Sequence, residues 1–340
     1  MIEESKPAII LDHGTLTTRA GLSDSEDPIL FSSETKSLLR PIGSGLIYNF
    51  TAMEKLWQDI FDVLAVNPTE HRVLLSEPLN NDEKNRRDTT EIMFETFNVP
   101  AMYLASTPVL ALYNSGRING VVYTSGSTFG TTYAVPVLDG HILRFSCGRI
   151  PVGGNTFDHN LKNSLVERYS FLEHVDNSTI RKIKENTCYV AQDYEKELAK
   201  HDSVDYTLPD GQVITLGEER FRCAEGIFNP FILGVQSEGI HTLINNTIMK
   251  CDEASRKRLY ANIVLDGGST MFTGFAERLQ KEMEKISPLE TKVKVYASPR
   301  RTEAAWRGGT LLANLPTFDK WVTKDEYSES GQKIIHSKCF

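Results

Sequence analysis

The 340-residue chain lacks any stretch of about 18 apolar residues, so it encodes no membrane-crossing helix. Its start, Met1 to Lys6, carries Glu3, Glu4 and Lys6 with no apolar segment behind it, and a chain neither secreted nor inserted in a membrane is expected. There is no Cys-x-x-Cys pair. The five cysteines, Cys147, Cys188, Cys223, Cys251 and Cys339, are odd in number and widely spaced. That pattern argues against a disulfide framework and a zinc site, and for a reducing compartment. No block of like charge occurs, and 37 Lys and Arg against 45 Asp and Glu leave a net charge of −8. Broad electrostatic attraction to nucleic acid or to an anionic membrane is therefore not encoded. No linker rich in Pro, Gly or Ser divides the chain, although its length fits two domains of roughly 150 residues each, so the domains are expected to share segments.

What is present is a repeated grammar of apolar strands ending in small polar turns. Pro7 to Leu11 runs into Asp12-His13-Gly14-Thr15, and Gly120 to Tyr123 runs into Thr124-Ser125-Gly126-Ser127, with Thr131 to Val137 alternating like a returning strand. A third run, Asn262 to Leu265, ends in Asp266-Gly267-Gly268 and precedes a helical pattern with Phe275, Leu279 and Met283 on one face. Thr51 to Glu54 reads as a capping box opening a helix striped by Met53, Leu56, Trp57, Ile60, Phe61 and Leu64. Thr107-Pro108 reads as an N-cap followed by proline, and Asp210-Gly211 as a hairpin turn. Strands mixed with helices throughout predict an α/β fold with an internal duplication.

A hairpin tip of small residues exposes successive backbone N–H groups, and two facing tips would clamp an anionic phosphate chain. Ordinary β-turns leave the same local signature, and short glycine motifs alone do not separate the two readings. Asp12, at a strand end, has the chemistry to hold a hydrated Mg²⁺, which keeps most of its waters and needs one or two carboxylates.

The stretch Ile92 to Tyr103, IMFETFNVPAMY, resembles actin almost letter for letter. So do Leu208 to Thr215, Glu219 to Cys223, Ile248 to Asp252 and the terminal Lys338-Cys339-Phe340, in the same order. The resemblance implies the duplicated α/β fold that actin shares with certain chaperones and sugar kinases, two domains around a nucleotide cleft. Residues 1–114 with 304–340 would form the smaller domain and 115–303 the larger. It implies ATP or ADP with Mg²⁺ as ligand. Gly154, Arg181, Lys184, Glu185, Gly268 and Met271 match nucleotide-contacting positions, joined by Asp12, Gly14, Thr15 and Gly126 at the tips, with Arg19 in place of a lysine. The lysine expected near the adenine is Thr302.

The resemblance also marks departures. Thr107 and Tyr133 stand where the family has the glutamine and histidine that position the attacking water. Thr124 replaces a second metal-side aspartate, and the second tip, 124–132, is two residues longer. A slow or absent ATPase is expected, because phosphoryl transfer depends on positioning and charge stabilisation. Most of the small docking-loop subdomain is missing, with only a polar surface connection expected at 22–40. Tyr113, Gly116, Leu312, Leu315, Thr317 and Phe318 match the rim of the groove that receives a neighbour's loop, although leucines at this spacing also read as core. Cys339 is expected to be an exposed free thiol. Three functions follow: a non-catalytic actin-related subunit or pointed-end cap of a cytoskeletal or motor-associated assembly, a polymerising actin, and, more remotely, a kinase or chaperone. The first is preferred, with actin-like subunits as partners, a cytoplasmic location and no nucleic acid.

Overall fold

The computed structural model of the protein describes residues 6–33, 41–43, 45–127 and 132–339. Residues 34–40 of the 22–40 connection and 128–131 of the second tip lie outside the described residues, as does the tip's expected two-residue lengthening. The chain divides into two compact units. One comprises Met1–Asn119, Val137–Ile142 and Arg300–Phe340, and the other Gly120–Pro136 and Leu143–Pro299.

The first unit is built on a mixed sheet. Strand β1 (Ile9–His13) pairs antiparallel with β2 (Thr17–Leu22), and β2 pairs antiparallel with β3 (Ile29–Ser32). On its other side β1 runs parallel to the Val73–Glu77 strand, which is parallel to Ala101–Ser106, and Val322–Thr323 closes that edge. The apolar runs are nearly continuous because both faces of the sheet are covered. Ile9, Leu11, Val73, Leu75, Met102 and Leu104 face helix α1 (Phe50–Leu64), packing on Met53, Trp57, Ile60 and Phe61. Ile10, Leu74 and Ala105 face the opposite way, toward Leu110, Trp306 and Leu312. There the Thr107–Asn114 and Ala304–Ala313 helices meet so closely that a Cβ on Gly308 would stand 1.9 Å from the Leu110 carbonyl oxygen.

The second unit repeats this strand order. Gly148–Ile150 pairs antiparallel with the Thr132–Ala134 part of the Thr132–Leu138 strand, and the end of that strand, Val137–Leu138, belongs with its partner His141–Ile142 to the first unit. Gly120–Ser125 lies next to Thr132–Leu138 and runs parallel to Ile263–Asp266, which is parallel to Val295–Tyr296. Going across each sheet, the sequence is an antiparallel outer strand, a returning strand, a first strand, a parallel third strand and a parallel fourth. The duplication expected from the turns therefore extends to whole-sheet topology. The Asp210-Gly211 turn joins Val204–Thr207 to Val213–Leu216 as a hairpin, with Gly211 at φ 87°. The Phe275–Ile286 helix buries Phe275, Leu279 and Met283, as its pattern predicts, and also Arg278, which donates two bonds to Glu225 at 3.0 and 3.1 Å and one to Glu282 at 2.7 Å.

Several local expectations shift. Helix α1 is capped by Asn49, whose Oδ1 accepts from the Ala52 N–H at 3.0 Å, two residues before the predicted Thr51 box. The helix after Ser106 begins at Thr107 itself, so Thr107 is the first helical residue and not the cap. Among the described residues of the 22–40 connection, Ser23 to Pro28 form the turn and Ile29–Ser32 adds a strand to the sheet. Cys339 is a correction of substance. Its side chain is fully buried, the Leu104 N–H donates to its sulfur at 3.4 Å, and burial pushes the thiol up to about 12. All five cysteines are free. Among the described residues no helix is long and apolar enough to cross a membrane.

Candidate functional site

In the first unit the strand ends around the β1–β2 tip form one hydrogen-bonded assembly. The turn is closed by the Gly14 N–H donating to the Thr17 carbonyl at 3.1 Å, and a Cβ on Gly14 would stand 2.6 Å from that oxygen. Ser33 braces the tip from β3's end, its hydroxyl donating to the Gly14 carbonyl at 2.9 Å. Thr15 is buried. Asp12 is buried as well, and accepts from Ser76 Oγ at 2.7 Å, while Arg19 Nη1 lies 3.7 Å from its other oxygen. Ser76 Oγ in turn accepts the His13 N–H at 3.1 Å. Ser76, at the neighbouring strand's end, carried no sequence signal of its own. Only the parallel pairing of Leu11 with Leu75 brings it beside Asp12.

His13 is held neutral. Trp57 Nε1–H donates to its Nε2 at 2.9 Å, and burial pulls the imidazole down to about 4. Thr107 lies near this strand end with its hydroxyl donating to the Glu77 carbonyl at 3.0 Å. Glu77 accepts from Arg86 Nε at 3.0 Å, and Arg86 also donates to the Cys339 carbonyl. The buried C-terminal segment is thus tied to the strand end that carries Glu77.

In the second unit Thr124 and Asp266 stand opposite each other on parallel strands, and Thr124 Oγ1 donates to Asp266 Oδ2 at 2.7 Å. Gly267 follows at φ 89°, its missing Cβ allowing the backbone to lie against the Ser125 carbonyl, 2.4 Å from where that atom would be. Gly268 is exposed and a Cβ there would meet nothing within 4 Å. The Gly126 carbonyl accepts from the Gly154 N–H at 3.0 Å and from Ser269 Oγ at 2.9 Å, so tip, helix start and glycine turn are laced together.

Lys184 is buried with its ammonium 2.6 Å from Asp158 Oδ1 and 3.4 Å from the Gly154 carbonyl. Arg181 Nε lies 3.5 Å from the same carboxylate. Asp158 is the residue that sequence reasoning missed here. It lies one turn into the Gly154–Val166 helix and sets the place of both cations. Glu185 and Met271 are exposed. Tyr133 is buried, its hydroxyl without a hydrogen-bond partner among the described residues, and Arg149 stacks over its ring at 5.7 Å.

The residues predicted for a docking face separate into two sets. Leu312 is core, packed in the cluster with Ile10, Trp306 and Trp321, which corrects its use as a surface contact. Phe318 is half-buried against Tyr103 and Trp321 at ring distances of 4.9 and 5.4 Å, and Tyr113 is half-buried. Gly116, Thr317 and Leu315 are exposed, as are Leu311 and Ile118, which sequence reasoning did not select.

Two mixed sheets of one topology, each ending its first and third strands in a hydroxyl–carboxylate pair beside a glycine turn, define a duplicated α/β protein. The family model described as Actin matches residues 29–340, and the chain belongs to the actin family. The match begins at β3, so Asp12, Gly14, Thr15 and Arg19 rest on the geometry of their own hairpin.

Proposed function

We propose that the chain is an actin-like cytoskeletal subunit that binds ATP or ADP with Mg²⁺, hydrolyses it slowly or not at all, and ends an actin-like filament at its pointed end instead of extending it. The observation that carries this reading is the distance along the chain between Ser33 and Pro41, where seven residues stand in the region of the family's docking-loop subdomain. So short a segment cannot bury a core of its own. A head-to-tail filament needs two complementary surfaces on each subunit, and a subunit with one joins once and stops growth.

The residues present suit a magnesium nucleotide chemically. The Gly14 and Gly267 turns keep backbone close to the strand ends, the space beside Gly268 is open, and Asp12 is a buried carboxylate oriented by Ser76. Bound Mg²⁺ would neutralise phosphate charge, while Lys184, Arg181 and Arg19 supply fixed positive charge from the protein. Slow turnover is supported by Thr107, whose single hydroxyl proton is committed to the Glu77 carbonyl, and by a phenol in place of an imidazole at Tyr133. Membership of the actin family supports a cytoplasmic setting and actin-like partners, and the proposal extends these to actin-related or motor-associated proteins.

The test combines nucleotide content, phosphate release and sedimentation of the purified protein in filament-forming salt. The expected outcome is bound nucleotide, phosphate release at background, and protein that stays in the supernatant alone but halts pointed-end growth of actin filaments. Ordinary actin-like turnover would overturn the hydrolysis reading, and long filaments of the protein alone would overturn the capping one.

A further inference from the structure

The two units carry the same pair of groups with the roles exchanged between strands. In the first, the carboxylate is on the first strand and the hydroxyl on the parallel third, Ser76 Oγ donating to Asp12 Oδ1 at 2.7 Å. In the second, the hydroxyl is on the first strand and the carboxylate on the parallel third, Thr124 Oγ1 donating to Asp266 Oδ2 at 2.7 Å. Both carboxylates are buried, at 7% and 5% exposure, each beside a glycine turn.

The row continues to Tyr133. Ser125 Oγ and Thr132 Oγ1 meet at 2.9 Å and so share one sheet face. Strand alternation puts Thr124 and Tyr133 on the other face, with Asp266. Tyr133, 7% exposed, brings to that face a buried hydroxyl with no partner among the described residues.

We infer that Asp266 is the second unit's carboxylate for the hydrated Mg²⁺ of a bound nucleotide, displaced one strand from the family's position at Thr124. The inference rests on the nucleotide-binding reading above. A carboxylate moved between strands that pair in register stays in the same row of the sheet, so it approaches the same region from one strand further over. Thr124 positions it. The hydroxyl donates to Oδ2 and orients the group, the service Ser76 performs for Asp12. Magnesium bound through its own water shell tolerates such a displacement, because the carboxylate need only accept from a metal-bound water.

The experiment measures affinity for a fluorescent adenine nucleotide in Mg²⁺ and in EDTA. Asp266→Asn keeps an acceptor for Thr124 and removes the charge. The expected result is that Mg²⁺ tightens binding in the wild type and that Asp266→Asn lowers this enhancement about tenfold, with affinity in EDTA changed by less than about twofold. The exchanged double variant Thr124→Asp/Asp266→Thr should recover the enhancement, since it rebuilds the arrangement of the first unit. An unchanged Mg²⁺ enhancement in Asp266→Asn overturns the inference and leaves nucleotide binding standing. Absence of nucleotide binding by the wild type in both buffers overturns the nucleotide reading and the inference with it. If Asp266→Asn melts well below the wild type, the exchanged double variant decides: restored enhancement supports the assignment, and a folded double variant without it overturns the assignment.

Discussion

The two strand-end assemblies differ in what holds them. The first, around Asp12, is a chain of neutral and charge-assisted hydrogen bonds running from His13 through Ser76 to the carboxylate, with Arg19 at a looser 3.7 Å. The second pairs Thr124 with Asp266 and is backed by a buried ion cluster of Asp158, Lys184 and Arg181. One topology thus supports two solutions to holding anionic groups below the surface. Loss of Asp158 in the second unit should cost more than loss of Ser76 in the first, because it removes the counter-charge of a buried ammonium, whereas Asp12 without Ser76 keeps Arg19 at 3.7 Å.

The largest effect is expected at Asp158. Asp158→Ala leaves the buried Lys184 ammonium, among the described residues, with the Gly154 carbonyl at 3.4 Å, and should lower stability by about 3–5 kcal/mol, read from the urea midpoint. A comparable loss in Ser76→Ala would erase the contrast between the two units.

The next effect belongs to the first unit and depends on pH. His13 is depressed to about 4 from its ordinary 6.5, so between those values the unfolded chain binds the extra proton and the folded one does not. The stabilisation is complete above pH 6.5 and is lost as the pH falls toward 4, amounting to about 3 kcal/mol. Denaturation curves across this window should flatten in His13→Phe, and an unchanged slope would show that another group carries the dependence.

Ser76→Ala should cost about 1–3 kcal/mol, because it strips a donor from buried Asp12 and an acceptor from the His13 N–H. It should also weaken nucleotide binding in Mg²⁺ more than in EDTA. On the proposed docking face, Leu315→Asp should leave the unfolding free energy within about 0.5 kcal/mol of wild type while abolishing capping. Leu312→Asp should unfold the first unit, since it places a charge in the core. The smallest readout is chemical. Cys339 should resist a thiol reagent in the native protein, and Arg86→Ala, which frees the Cys339 carbonyl from its clamp, should speed its labelling without altering Cys223.

The elements legible in the sequence were those with strong local physics. The α1 stripe, the Asp210-Gly211 hairpin and the Phe275, Leu279, Met283 face each follow from a period or a turn preference that neighbouring residues impose. The helix starts were displaced because Asn49 competes with Thr51, and Ser106 with Thr107, as flanking residue, a contest decided by the backbone angles of the chain entering from the preceding loop or strand. Exposure at the ends was misjudged for the same reason in another form. Nothing near Cys339 in sequence marks it as buried. Its surroundings are Leu104 and the Arg86 guanidinium, more than two hundred residues away.

By itself the sequence determined the α/β class and the two glycine-turned strand ends, because those are statements about residue types along the chain. The partners of the site residues were decided by tertiary structure alone. Ser76 beside Asp12, Asp158 beneath Lys184 and Asp266 beside Thr124 are separated in sequence by 64, 26 and 142 positions. Two of these three meetings depend on the register of parallel strands, and parallel register is set by packing on both faces of a sheet, a condition that no local stretch of chain contains.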